Sequence, residues 1–346
     1  MPATSLAVLA PQLLSPCARE RFSPLNGTAY VLLDADDSGH GLSPTQLRAA
    51  CAALAQLPCP VIGLRRADGT GAAAAALLSS LDVVVGSTQA ARPLVKNILR
   101  APLAAMTLVQ LLRHNERASI HQGLFAESLA YAALQGGREF ADFMAARDAS
   151  RRPGERAREA APAVLAERRE GELWLTLNRP ERRNAYSIAM RDQLLEGLQL
   201  LASDTAIARC IIRGAGSCFC VGGDLDEFGL FDNTAEAHAI RSTRNVGLLI
   251  AELAGRIECR VHRSCIGSGL ELPAFCHRIV ATGDTTFQLP EITMGLIPGA
   301  GGTVSVLRRI GRQRTAWLTL SAKRIRAAQA LQWGLIDEIA ESTSQR

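Results

Sequence analysis

"LPEITMGLIPGAGGTVSVLRRIG", residues 289–311, sets one carboxylate, Glu291, between a proline and an apolar run that ends in a glycine-rich turn. Twenty residues upstream, "CIGSGLELPAF" (265–275) repeats the arrangement, with Glu271 two positions after a Gly-Ser-Gly turn and leucine, proline and phenylalanine around it. A buried, unpaired carboxylate is costly, so such a group shifts its pKa or finds a partner. For one isolated glutamate the ordinary reading is an ion pair with an arginine. Two carboxylates and two glycine turns are more than turn chemistry needs.

Working outward, "LWLTLNRP" (173–180) alternates Leu173, Leu175 and Leu177 with Trp174 and Thr176, the period-two pattern of a strand, which Pro180 ends. "RRNAYS" then turns, and Ser187 is placed to cap a helix with Met190, Leu194, Leu198 and Leu201 on one face. "ARCIIRGAG" (208–216) reads as a second strand, which predicts a βαβ unit with a parallel pair. "SCFCVGGDLDEF" (217–228) follows, and its paired glycines, at the mouth of a strand-to-helix crossing, would let backbone N–H groups approach a ligand. Alone, they are equally a tight turn. The "GSG" turn is expected to open a helical run, "LELPAFCHRIVA".

"LTLNRPERRNAYS", "FCVGGDLDEF", "IGSGLELPAF" and the opening segment resemble, in order and approximate spacing, the crotonase (enoyl-CoA hydratase/isomerase) superfamily over about residues 172–340. The resemblance implies an α/β fold, the crotonase-like ββα spiral, and a coenzyme A thioester as substrate. It implies that the N–H groups of Val221 and Ser268 form an oxyanion hole for the thioester carbonyl. Ser268 stands where the family usually has glycine, a change that a backbone donor should tolerate. It further implies Glu271 and Glu291 as the catalytic pair holding a water. One takes the water's proton as its oxygen attacks the β-carbon, and Glu291 protonates the α-carbon. Apolar surroundings would raise a glutamate pKa towards neutrality, which suits such transfers. Coenzyme A contacts are implied for Arg182, Arg183, Ala185, Gly222, Gly223, Asp224, Leu225, Gly269, Pro290 and Gly295, with Arg182, Arg183 and Asp224 towards the adenine and phosphates. No metal is expected, and no cofactor beyond the coenzyme A of the substrate. His262 and Arg263, in "CRVHRSCIG", depart from the family's asparagine and glycine; His262 reads as structural.

The matched part ends in "GLIDEIAESTSQR", where relatives continue with helices that pack the trimer and close the coenzyme A site. Residues 94–147, from "LVKNILRAPLAAM" to "ADFMAAR", resemble that tail, placed upstream. Before them, residues 30–69 read strand, turn, helix, strand, parallel in length and order to residues 174–216. The expected organisation is a degenerate crotonase-like segment over 1–147 whose tail-like oligomerisation helices cover 91–147, a linker over 148–171, and a catalytic core over 172–346. An unrelated α/β domain is the competing reading of the first part.

Composition narrows the remaining classes. With 48% hydrophobic and 21% charged residues the chain has the make-up of a globular protein. Net charge is +5, yet only Lys96 and Lys323 are lysines and aromatics are 4%, a poor basis for a nucleic-acid surface and a better one for a small anionic ligand. The nine cysteines show no zinc spacing, and no stretch reads as a signal peptide or membrane span, so a reduced cytoplasmic protein is expected. Cys220 and Cys265 lack the companions of a thiol nucleophile. The expected reaction is hydration of a 2-enoyl-CoA thioester by a homo-trimer or hexamer. Double-bond isomerisation or thioester hydrolysis on the same fold is the alternative. A non-catalytic CoA-binding or assembly subunit is the alternative of another class.

Overall fold

The computed structural model describes residues 3–37, 39–66, 72–150, 161–229 and 233–340. After helices Leu6–Leu13 (α1) and Ala18–Arg21 (α2), the chain forms strand Val31–Asp34 (β1), helix Pro44–Leu54 (α3) and strand Val61–Leu64 (β2). The Ser43 side chain and Gln46 cap α3 reciprocally, with Pro44 in the first turn, so the helix begins where its orphan amides are satisfied. Helix Ala72–Ser80 (α4) leads to strand Val83–Val85 (β3), and the three strands form a parallel sheet in the order β1-β2-β3. Strand, turn, helix and strand thus follow as the sequence predicts, though residues 38 and 67–69 of that stretch lie outside the described ones.

Four helices follow: Thr88–Arg100 (α5), Pro102–Asn115 (α6), Ile120–Gln135 (α7) and Arg138–Ser150 (α8). The stripe Ala104, Leu108, Leu111 and Leu112 is buried, as expected of apolar residues at helical spacing.

The C-terminal half runs through Val164–Arg169 (β4), Glu172–Leu177 (β5), Ile188–Ser203 (α9), Arg209–Gly214 (β6), Thr234–Thr243 (α10), Val246–Glu252 (α11), Ile257–Val261 (β7) and Ser264–Ile266 (β8). It continues through Ser268–Glu271 (α12), Arg278–Thr282 (β9), Thr286–Gln288 (β10), Gly302–Ile310 (α13), Arg312–Ser321 (α14), Ile325–Arg326 (β11), Ala327–Trp333 (α15) and Glu338–Ala340 (β12). A six-stranded sheet in the order β12-β9-β7-β6-β5-β4 is parallel except for the β4–β5 hairpin, and β11-β10-β8 form a smaller sheet. Met190, Leu194, Leu198 and Leu201 of α9 are buried against the large sheet, as predicted.

Three expectations need correction. Residues 164–169, read as linker, are strand β4; Glu170 and Gly171 have φ of 46° and 84°, the left-handed pair of a two-residue hairpin turn. Charged residues on this edge strand obscured it. Residues 151–160 of the expected linker lie outside the described ones. The helical run expected through "LELPAFCHRIVA" stops after Glu271, because Pro273 has no N–H to continue it, and Arg278–Thr282 become a sheet strand. No helix directly follows "FCVGG": the segment runs beside β8, where Cys220 N–H donates to Ser264 O (3.0 Å) and Ile266 N–H to Cys220 O (3.1 Å).

The two halves share a core. Leu94, Ile98, Leu108 and Leu112 of α5 and α6 join Ile292, Leu296, Leu307 and Leu320 in one apolar cluster. Polar bonds cross the same boundary: Asn97 Nδ2 donates to Leu320 O (2.9 Å), Asn115 Nδ2 to Thr303 Oγ1 (3.0 Å), and Arg312 pairs with Asp82 (3.3 Å), which Arg113 also holds.

Candidate active site

Two segments deliver backbone donors to one place. Val221 follows the buried Cys220, and Ser268 is the first residue of α12, where a helix leaves its amides without an intrahelical acceptor. Among the described residues, neither Val221 N–H nor Ser268 N–H has a hydrogen-bond acceptor. Gly267, before the helix, has φ of 53°, and a Cβ there would sit 2.7 Å from Glu291 Oε1, so the turn requires glycine. Both amides border a cavity of about 490 Å³. Tyr186, Gly222, Gly223, Asp224, Leu225, Glu271, Pro290 and Glu291 line it from the C-terminal half, and Tyr131 and Phe143 from the N-terminal helices.

The two glutamates predicted to work together do meet there. Glu271 is 2% exposed and Glu291 7%. Glu271 Oε2 accepts the N–H groups of Ala300 (2.7 Å) and Gly302 (2.9 Å), whereas Glu291 Oε2 has no hydrogen-bond partner. Among the described residues no lysine or arginine pairs with either, which removes the ion-pair reading. Burial raises Glu271 to about 7 against the pull of those two amides. Burial, with the neighbouring charges of Glu271 and Glu127, raises Glu291 well above the usual carboxylate range, its own amide opposing. The two carboxylates are thus held differently: Glu271 is stabilised in its charged form by two backbone amides, while Glu291 Oε2 has no donor.

A third buried carboxylate was not anticipated. Glu127 of α7, 2% exposed, accepts Gly301 N–H at Oε1 (2.7 Å), and Thr303 N–H (2.9 Å) and Thr303 Oγ1–H (2.6 Å) at Oε2. Burial and the nearby Glu271 raise it to about 8. Residues 300–303 thus donate four successive amides alternately to Glu271 and Glu127. The signal lay in a charge on the apolar face of α7, three residues after the buried Leu124.

Of the remaining expected residues, Gly222, Gly223, Asp224, Leu225 and Pro290 line the cavity, while Arg182, Arg183, Ala185, Gly269 and Gly295 do not. Asp224 is buried and paired with Arg179 (2.9 Å), which the sequence reading missed, and with Arg182 (3.5 Å). Gly295 instead abuts α8, where a Cβ would lie 2.6 Å from the Glu139 carbonyl carbon. His262 is structural, its Nε2 lying 3.1 Å from Gly216 O. Burial pushes the Cys220 thiol up to about 12 and Cys265 upward too, which leaves neither a ready nucleophile.

The C-terminal half is similar to known proteins. The pattern of the family described as Enoyl-CoA hydratase/isomerase matches residues 167–344. The 2,3-dehydroadipyl-CoA hydratase of Escherichia coli K12 is 35% identical over 179 residues, which cover 52% of this chain and 69% of that protein. The mevalonyl-coenzyme A hydratase of Aspergillus fumigatus is 33% identical over 169 residues, 49% of this chain and 63% of that protein. The 1,2-epoxyphenylacetyl-CoA isomerase of E. coli K12 is 32% identical over 193 residues, 53% and 73%. Among solved structures, an enoyl-CoA hydratase of Mycobacterium smegmatis shares 32% identity over 52% of this chain and 70% of that one, with a TM-score of 0.49.

Proposed function

Because the chain belongs to the enoyl-CoA hydratase/isomerase family, we propose that it is an acyl-CoA enzyme that adds water across the double bond of a 2-enoyl-CoA thioester. The observation that carries this reading is the pair of differently held carboxylates beside two free amides. The Val221 and Ser268 N–H groups would hold the thioester oxygen as it gains charge, each contributing about 3 kcal/mol in the transition state. Ionised Glu271, oriented by Ala300 and Gly302, takes a proton from water as the water oxygen bonds to the β-carbon. The electron pair of the double bond passes into the thioester enolate, and protonated Glu291 delivers the α-proton. Isomerisation through the same enolate needs only one acid–base carboxylate, so an ordered second glutamate favours hydration.

We also propose that α5–α8 close the acyl-CoA site and supply oligomer contacts in a trimer or hexamer, the role the sequence expects of residues 91–147. Support comes from Tyr131 and Phe143 in the cavity wall and from exposed Phe125 (52%) and Leu129 (46%) on α7. Coenzyme A enters as part of the substrate, with Gly222, Gly223, Asp224, Leu225 and Pro290 along its path. No described helix is long and apolar enough to cross a membrane. Loss of the conjugated-thioester absorbance with crotonyl-CoA tests the reading: turnover that Glu271→Gln removes supports hydration, and full hydratase activity in that variant overturns it.

A further inference from the structure

The cavity wall carries a positive charge that this chemistry does not use. Arg241 of α10 borders the main cavity and a smaller chamber of about 80 Å³ that shares Gly299 and Ala300 with it. Its guanidinium lies over the Tyr131 ring, 4.8 Å from the centroid. Nε donates to Ser128 Oγ (3.2 Å), Nη1 to Gln135 Oε1 (3.1 Å) and Nη2 to Ser128 O (3.3 Å). All three acceptors are neutral, and two of the five guanidinium N–H groups remain uncommitted.

Among the described residues no carboxylate pairs with Arg241. Glu127 lines the same chamber, but both its oxygens are held by Gly301 and Thr303. Arg191 and Arg244 also line it, and they share Asp192 at 2.8 and 3.0 Å. Three guanidinium groups therefore border the chamber with one aspartate paired between two of them. Desolvation pulls the Arg241 pKa below its usual value, with Tyr131 and Glu127 opposing, so its charged form gains from an incoming anion.

We propose that this chamber takes the distal carboxylate of the acyl group, so that the substrate is a 2-enoyl-CoA thioester with an anionic far end and Arg241 selects it. The inference rests on the hydratase reading, which seats the thioester carbonyl at Val221 and Ser268. An oxyanion here could also be a coenzyme A phosphate. The acyl end is favoured because Ala300, which the chamber touches, holds the reacting Glu271 through its N–H.

The test compares kcat/KM for a 2-enoyl-CoA ending in a carboxylate with that for its methyl ester. The wild type is expected to prefer the carboxylate by about 10- to 100-fold, the range of a charge-assisted pair. Arg241→Met should erase that preference, and Arg241→Lys should restore part of it, since an ammonium keeps the charge but not the fork. Equal wild-type rates on both thioesters overturn the proposal. So does an Arg241→Met variant that slows both by the same factor, which would assign Arg241 to a coenzyme A phosphate. Should the wild type turn over neither thioester, the hydratase reading falls separately. Calorimetric binding of the saturated carboxylate and ester thioesters then decides the chamber: a preference lost in Arg241→Met sustains it, and no preference overturns it. Circular dichroism checks each variant's folding; if Arg241→Met does not fold, the wild-type preference and Arg241→Lys carry the test.

Discussion

The N-terminal β1-α3-β2 unit and the C-terminal β5-α9-β6 unit share a plan: a parallel strand pair joined by a serine-capped helix. Their surroundings differ. The second unit leads into the turn that exposes the Val221 N–H, and the half it belongs to carries Glu271 and Glu291 on glycine turns. In the first half, Glu127 is the carboxylate that reaches the site, and its oxygens are engaged by the other half's backbone. The second unit leads directly into the cavity, whereas the first contributes nothing to its lining, and the N-terminal half reaches the cavity through α7 and α8 instead. What separates the two units is whether the flanking loops leave donors and carboxylates free.

The largest expected effect tests whether the N-terminal half is dispensable. A fragment of residues 160–346 would expose the apolar surface of Ile292, Leu296, Leu307 and Leu320 now covered by α5 and α6, so it should be insoluble or fail to assemble. Adding residues 1–159 as a separate chain should restore solubility. A soluble, oligomeric and fully active fragment would reduce the N-terminal half to an appendage.

Within the reacting half, Val221→Pro removes a donor that Val221→Ala keeps. Turnover should vanish in the first and change little in the second, provided circular dichroism shows the proline variant folded. Equal, mild effects would take Val221 out of the oxyanion hole. Glu271→Gln and Glu291→Gln should each lower kcat by about 100-fold or more, with binding of the CoA ester little changed in equilibrium titration.

The smallest effect concerns the supporting carboxylate. Glu127→Gln replaces an acceptor with an amide donor facing the 301–303 backbone and should lower kcat by roughly 10-fold through the position of Glu271. It should also alter the pH dependence of stability. Carboxylates raised by folding bind extra protons in the native state; their stability contribution is complete below the ordinary range near 4 and is lost as pH rises through about 7 for Glu271 and about 8 for Glu127. The melting temperature should therefore fall between pH 5 and pH 9, and Glu127→Gln should make that fall shallower. An unchanged slope would show that Glu127 does not titrate in this window.

Much of the reacting half was legible because its signals are local. A glutamate beside a glycine turn within an apolar run is visible in a few residues, and both such sites converge on the cavity. Elements that depend on distant partners were less legible. Strand β4 reads as charged linker until β5 is beside it, and its short left-handed turn was the available clue. Pro273 marked the end of α12, but the apolar run around it masked the change to sheet. Glu127 acquires its role from residues more than 170 positions away, and Arg241 lies in a loop-helix region whose position only packing determines.

The backbone at 300–303 behaves as a two-sided ruler: even-numbered amides face Glu271 and odd-numbered ones face Glu127. Composition and parity both matter: a Cβ at Gly301 would lie 2.4 Å from Phe275 Cε2 and one at Gly302 2.7 Å from Glu271 Cγ, and the donors alternate between the two carboxylates. Deleting Gly299 would shift the frame and present each carboxylate with the other's donors, while inserting two residues before Ala300 would preserve the alternation and alter only the reach. Length variation in this turn is therefore expected to be tolerated in steps of two before steps of one.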